Sequence, residues 1–166
     1  MDLPRPTSWM LGEIPVARKS ADKKPKAPRS ASSPGRRLAV AMARTCAENR
    51  CREVAVLDLR GLSPVTDFFV VATGSSARQM RAAADRCVEA GKELNEKPFG
   101  VEGMETVEGA EDNRWVLVDY VDVVVHIFTA DSRAYYDLEL LWGDARRIDW
   151  RRGWKPRAEE PPTPQF

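Results

Sequence analysis

Between Asp67 and Thr73 the chain reads Phe68-Phe69-Val70-Val71-Ala72, an unbroken apolar run dominated by aromatic and β-branched residues. A run this short, apolar on both faces, is predicted to be a strand interior to a sheet. Glu53 to Leu59 (EVAVLDL) supplies a second strand, closed by Arg60-Gly61 and Ser63-Pro64. Trp115–Tyr120 (WVLVDY) and Val123–Phe128 (VVVHIF) form two more, so close that only a tight hairpin can join them. Phe99–Glu102 gives a short fifth.

Helical spacing fills the intervals. Residues 36–49 carry Leu38, Met42 and Cys46 on one stripe. From about Ala77 to Leu94 the stripe is Met80, Ala84, Cys87, Val88, Gly91 and Leu94, stopped by Lys97-Pro98. Asp131 and Ser132 can cap a last helix running through about Trp142, with Tyr135, Leu138 and Leu141 inward and an end at Gly143. The expected order is αββαβββα: one α/β (α+β) domain, a mixed five-stranded sheet flanked by helices. Its span is 36–145. Residues 1–35, rich in proline and carrying Lys23-Lys24-Pro25-Lys26, cannot bury enough apolar surface to offset their ordering entropy. They are expected to be a disordered basic extension, and residues 146–166 a Pro-rich tail. A transit peptide is the rival reading of the extension, opposed by its acids and early prolines.

Composition excludes several classes. Among 166 residues, 43% are apolar and 31% charged, which excludes collagen-like, fully disordered and multi-span membrane proteins. No run approaches the roughly 18 apolar residues of a membrane helix, and no secretory signal is expected. Cys46, Cys51 and Cys87 are odd in number and lack a CxxC pair, so neither a disulfide framework nor a zinc site is expected. A reducing compartment is therefore expected, and the cytoplasm is the expected location. The near-neutral total hides a division. Residues 1–37 carry nine basic and three acidic residues, whereas 38–150 carry 13 basic and 20 acidic, a net of −7. Nucleic-acid-binding cores show the opposite sign. This core suits a basic partner.

Candidate chemistry is sparse. Gly74-Ser75-Ser76 lies between a buried strand and a helix, where backbone N–H groups often hold phosphate. In nucleotidyltransferases a similar Gly-Ser precedes paired metal-binding aspartates. The only such downstream pair here, Asp119 and Asp122, is three apart across a turn and cannot share a strand face. Ser76-Ala77-Arg78-Gln79 also fits the S-x-x-Q capping box, and no P-loop lysine or GxGxxG accompanies it. His126, the sole histidine, sits mid-strand without Cys or His neighbours and reads as a structural, buried group. Asp58 and Asp67 sit at strand ends, where carboxylates accept turn N–H bonds. Trp115 opens its strand beside Glu105, Glu108, Glu111 and Asp112. It is either an exposed anchor for a partner or a residue packed on the sheet.

The ordered strings resemble one family. Val56-Leu57-Asp58-Leu59-Arg60-Gly61-Leu62-Ser63, Thr66-Asp67-Phe68-Phe69-Val70, and Ala72-Thr73-Gly74-Ser75-Ser76 are similar to the ribosomal silencing factor (RsfS, Iojap-related) family. So are Gly100-Val101-Glu102-Gly103, Trp115 to Tyr120, Val124 to Phe128, Tyr136-Asp137-Leu138-Glu139, and Leu141-Trp142. The resemblance covers roughly residues 38–143. It implies a fold distantly like the nucleotidyltransferases without their catalytic aspartates, a non-enzymatic role, and no cofactor or metal. It further implies docking on large-subunit ribosomal protein fourteen, which blocks joining of the small subunit and lowers translation. It points to Trp115 and Tyr136 as partner-binding residues; Asp119, which alternation sets on the Trp115 face of the strand, and Tyr120 are further candidates. Ribosomal RNA contact by the basic N-terminal segment is a further expectation, and a homodimer is left open. The runner-up is a nucleotide-binding or nucleotidyl-transferring enzyme using Gly74 and Ser75.

Two departures stand out. The family usually has Gly-Asp in the hairpin where this chain has Val121-Asp122, and a β-branched residue tolerates positive φ poorly. The loop from Gly103 to Trp115 is also several residues longer than in many relatives.

Overall fold

The computed structural model describes residues 33–103 and 114–156. Except for residues 33–35, the expected basic extension lies outside the described residues, as do most of the acidic loop and the end of the Pro-rich tail. The elements run α1 (Pro34–Glu48), β1 (Arg52–Asp58), β2 (Phe68–Thr73), α2 (Ala77–Glu93), β3 (Gly100–Glu102), β4 (Trp115–Asp119), β5 (Val123–Phe128), α3 (Ala130–Tyr136), α4 (Leu138–Leu141) and β6 (Arg146–Arg147). They build one sheet in the order β3-β4-β5-β2-β1-β6. The all-apolar run forms β2, interior and buried at every position, as its composition dictates. It pairs parallel to β5, Phe68 opposite Val123 and Thr73 opposite Phe128, while the other pairings are antiparallel.

One face of the sheet is closed by two amphipathic helices. Ser33 caps α1 through Arg36 N at 3.3 Å with Pro34 in the first turn, and Ser76 caps α2 through Gln79 N at 3.1 Å. Leu38, Met42 and Cys46 from α1 meet Met80, Ala84 and Cys87 from α2 over Val56, Phe68, Val70, Val118 and Val125. The Cys46 and Cys87 sulfurs approach to 3.7 Å, and all three cysteines are free and buried. No helix among the described residues is long and apolar enough to cross a membrane.

The structure corrects the sequence reading in three places. The expected last helix is two short ones, because Asp137 takes a left-handed conformation (φ +40°) and breaks it. Its first cap is Thr129, whose hydroxyl accepts from Ser132 N, and not Asp131 or Ser132. Leu94, expected on the inner stripe of α2, instead follows the last turn and is exposed. Finally, the sheet has six strands, since residues past 145 pair with β1. Ile148 N donates to Val56 O and Trp150 Nε1 to Val54 O, each at 2.9 Å, and both side chains join the core. The folded body therefore runs beyond the boundary expected at 145. The Trp150 and Trp154 rings meet at a tilt of 57°, 5.3 Å between centroids.

Candidate docking face

The second face of the sheet is assembled from β4 and β5 by their register. Trp115 stands opposite Phe128 and Leu117 opposite His126, so alternation sets Trp115, Leu117 and Asp119 on the side away from α1 and α2. Gly103 makes this entry to β4 feasible: at φ +79° a Cβ there would run into the Trp115 carbonyl oxygen.

An aromatic cluster results. The Trp115 ring lies 4.8 Å from Phe128, 4.8 Å from Tyr136 and 5.6 Å from His126, centroid to centroid. Trp115 Nε1–H donates to His126 Nδ1 at 3.2 Å. Nδ1 as acceptor places the imidazole proton on Nε2, and Nε2 has no hydrogen-bond partner among the described residues. Phe69 instead stands edge-to-face against that ring at 4.5 Å. Burial pushes the His126 pKa down to about 3, so the ring is neutral at any physiological pH. His126 is thus the buried structural group that the strand pattern predicts, with the added task of holding the Trp115 indole.

Helices α3 and α4 border the cluster, and Arg133 pins them. It donates to the Thr73 hydroxyl at 2.9 Å, to the Glu53 carbonyl at 2.6 Å and, through Nε, to Glu139 at 3.2 Å. The Glu53 carbonyl is available because β1 carries an extra residue between Arg52 and Ala55, with Glu53 at φ +50°. The break at Asp137 then decides which side chains face out. Leu138 is buried, whereas Tyr135 is 47%, Leu141 59% and Leu140 76% exposed. Tyr135 and Leu141 were expected inward; a continuous helix would have placed them so, and the αL turn does not. Exposed apolar side chains grouped beside a half-buried Trp-Tyr pair are the usual composition of an interface centre.

The four partner-binding candidates therefore separate. Trp115 and Tyr136 touch. Asp119 shares their face by alternation but is only 8% exposed, and its Oδ1 accepts from Val121 N at 2.7 Å, closing the hairpin. Tyr120 points to the opposite face, buried under α2, where its hydroxyl donates to Cys87 O at 2.8 Å and packs on Gly91. Burial, then the nearby Cys87 and Glu96, push its pKa up to about 12. Tyr120 cannot meet a partner at Trp115. Leu140, Leu141 and Trp142 were missed as surface candidates, although three consecutive apolar residues exceed what one helix stripe can bury.

The Gly74–Ser75 turn is already occupied. Gly74 N donates to Phe128 O at 2.7 Å, Ser75 N to Gln79 Oε1 at 3.0 Å and Gln79 N to the Ser76 hydroxyl. Gln79 also reaches Asn49 O at 2.7 Å, which fixes its amide over the turn. Asp58 is committed to Arg60 by a bidentate pair, 2.8 and 2.7 Å, which raises the Arg60 pKa. Asp119 is buried and Asp122 exposed, so they do not converge. No group of three metal-ligating side chains occurs among the described residues.

Residues 31–165 match the family described as "Ribosomal silencing factor during starvation". The chain belongs to this family. It is 42% identical over 107 residues to the ribosomal silencing factor RsfS of Bacillus subtilis, covering 64% of this chain and 86% of that one. To the RsfS of Halalkalibacterium halodurans it is 40% identical over 102 residues, 61% of this chain and 82% of the other. The chloroplastic protein Iojap of Zea mays matches at 35% over 113 residues, 68% of this chain and 46% of that one. A crystal structure of a Chromobacterium violaceum protein superposes with a TM-score of 0.56 at 34% identity, covering 64% of this chain and 84% of that one. The silencing-factor resemblance read from the sequence is thereby shown, and so is its mixed α+β fold.

Proposed function

We propose that this protein silences ribosomes by docking its Trp115–Tyr136 face on protein fourteen of the large subunit, sterically preventing the small subunit from joining and so repressing translation in the cytoplasm. The observation that carries the proposal is the aromatic cluster itself: a half-buried Trp and Tyr in contact, held by His126 and Arg133, beside exposed Tyr135, Leu140 and Leu141. Rigid aromatic anchors in a preorganised setting are what interface hot spots are made of. The −7 balance of residues 38–150 supports a basic partner such as a ribosomal protein. Family membership supports the ribosome as the target. The mechanism needs no cofactor, because occlusion requires only affinity and bulk.

The test is a sucrose gradient with purified subunits. The protein should comigrate with large subunits and reduce their joining to small ones, and Trp115→Ala should do neither. A well-folded Trp115→Ala protein that still comigrates would sink the proposal. The nucleotidyltransferase alternative has no comparable support, since Gly74 N is taken by Phe128 O and Ser75 N by Gln79 Oε1. Calorimetric titration with nucleotide and Mg²⁺ should show no saturable binding.

A further inference from the structure

The chain that follows α4 inverts the charge of the body it packs on. Arg146, Arg147, Arg151, Arg152 and Lys155 are all exposed, set against Asp144 and Asp149 in the same stretch. They are not on a loose tail. β6 pairs Arg146 with Asp58 and Arg147 with Leu57, Ile148 and Trp150 are buried, and Arg44 donates to Trp150 O and Arg152 O at 3.1 Å each. The strap thus runs back along β1, whose seven residues span roughly 20 Å. It ends beside the C-terminal end of α1, where Trp154 Nε1 donates to Glu48. Exposed Arg50, in the short chain after that helix end, and exposed Arg52, the first residue of β1, lie near the same end of the strap. Facing carboxylates are few: Glu48 accepts from Trp154, Glu53 from Thr73, Asp149 from Arg151 N, and Glu139 stands 4.0 Å from Arg147. Arg146, Arg151, Arg152 and Lys155 make no ion pair among the described residues.

Charges on an edge strand guard it against pairing with other chains, which would account for Arg146 and Arg147. That duty does not extend to Arg151, Arg152 and Lys155, which lie past the strand. Glu139 belongs to α4, so the basic edge begins where the docking face ends.

We infer that this strap is an RNA-backbone contact, laying its arginines along phosphates next to the protein surface that Trp115 engages. Where large subunits are the probe, the inference rests on the proposed docking. The measurement is the salt dependence of binding, by full-length protein, to a fluorescein-labelled RNA duplex and in parallel to large subunits. Arg146→Gln/Arg147→Gln/Arg151→Gln/Arg152→Gln should weaken both and lower the slope of log K against log salt by about three, at roughly 0.7–0.9 per phosphate contact. The matching quadruple Lys variant should restore most of the slope, since phosphate contact needs charge more than a guanidinium fork. An unchanged slope in the Gln variant overturns the inference, as does equal loss in the Gln and Lys variants. Loss on subunits with duplex binding intact also overturns it, assigning the strap to an acidic protein. Trp115→Ala separates the two claims: it should release subunits while leaving the duplex slope at the wild-type value.

Discussion

The two faces of the sheet are built from the same strands but finished differently. On the helical face, two helices of 15 and 17 residues close over an apolar layer in which Met42, Phe68, Met80, Val70 and Val125 are fully buried. On the other, helices of seven and four residues leave a half-buried aromatic cluster at the surface. Helix length sets how much sheet can be covered, and coverage separates residues that stabilise from residues free to bind. The closed face should therefore answer to stability measurements and the open one to affinity measurements.

The largest effect should fall on the closed face. Phe68→Ala removes a ring buried to 0% exposure and should cost about 3–5 kcal/mol in urea unfolding. Tight binding by a variant that remains folded would show that the closed face has no part in docking. Trp115→Ala should show the reverse emphasis, with roughly thirtyfold weaker association with large subunits, or about 2 kcal/mol. Because the indole also bonds His126 and packs on Phe128, some thermal stability will go with it, though less than for Phe68→Ala.

A third prediction uses pH. His126 titrates near 6.5 when unfolded and about 3 when folded, so the unfolded chain takes up the proton first as pH falls. Stability from the neutral buried ring is complete above pH 6.5 and is lost progressively from there down to 3. At pH 5 the loss is about 2 kcal/mol relative to pH 7. In His126→Gln the difference in unfolding free energy between those two pH values should shrink by about that amount. An undiminished difference would place the acid sensitivity elsewhere.

Smaller effects concern the ends of elements. Ser76→Ala should cost about 1 kcal/mol, as lost caps do, with no change in ribosome association. Loss of association in a stable Ser76→Ala protein would bring the Gly74–Ser75 turn back into the functional site. Val121→Gly should be neutral or up to about 1 kcal/mol stabilising. Val121 sits at φ +74°, and Asp122 N bonds back to Tyr120 O at 3.0 Å, the tight positive-φ γ-turn that a β-branched residue enters with strain. Asp119 Oδ1, accepting from Val121 N, holds the turn in place.

The first seven elements, αββαβββ, were legible in the sequence because they depend on local periodicity, whereas the split of the last helix and the sixth strand were not. Asp67–Thr73 can bury both faces only inside a sheet, and two residues between Tyr120 and Val123 leave no connection but a hairpin. The family strings were legible for the same local reason. What only the tertiary structure decided are matters of long-range contact. Trp115 bonds His126 eleven residues on, Arg133 bridges to Glu53 eighty residues back, and Trp150 caps a strand ninety-six residues earlier. The αL break at Asp137 turned Tyr135 and Leu141 outward, and alternation sent Tyr120 beneath α2 while Trp115 stayed at the surface. Hydrophobic spacing reports which side chains can share a face; which face remains open depends on how far the helices of the folded chain reach across it.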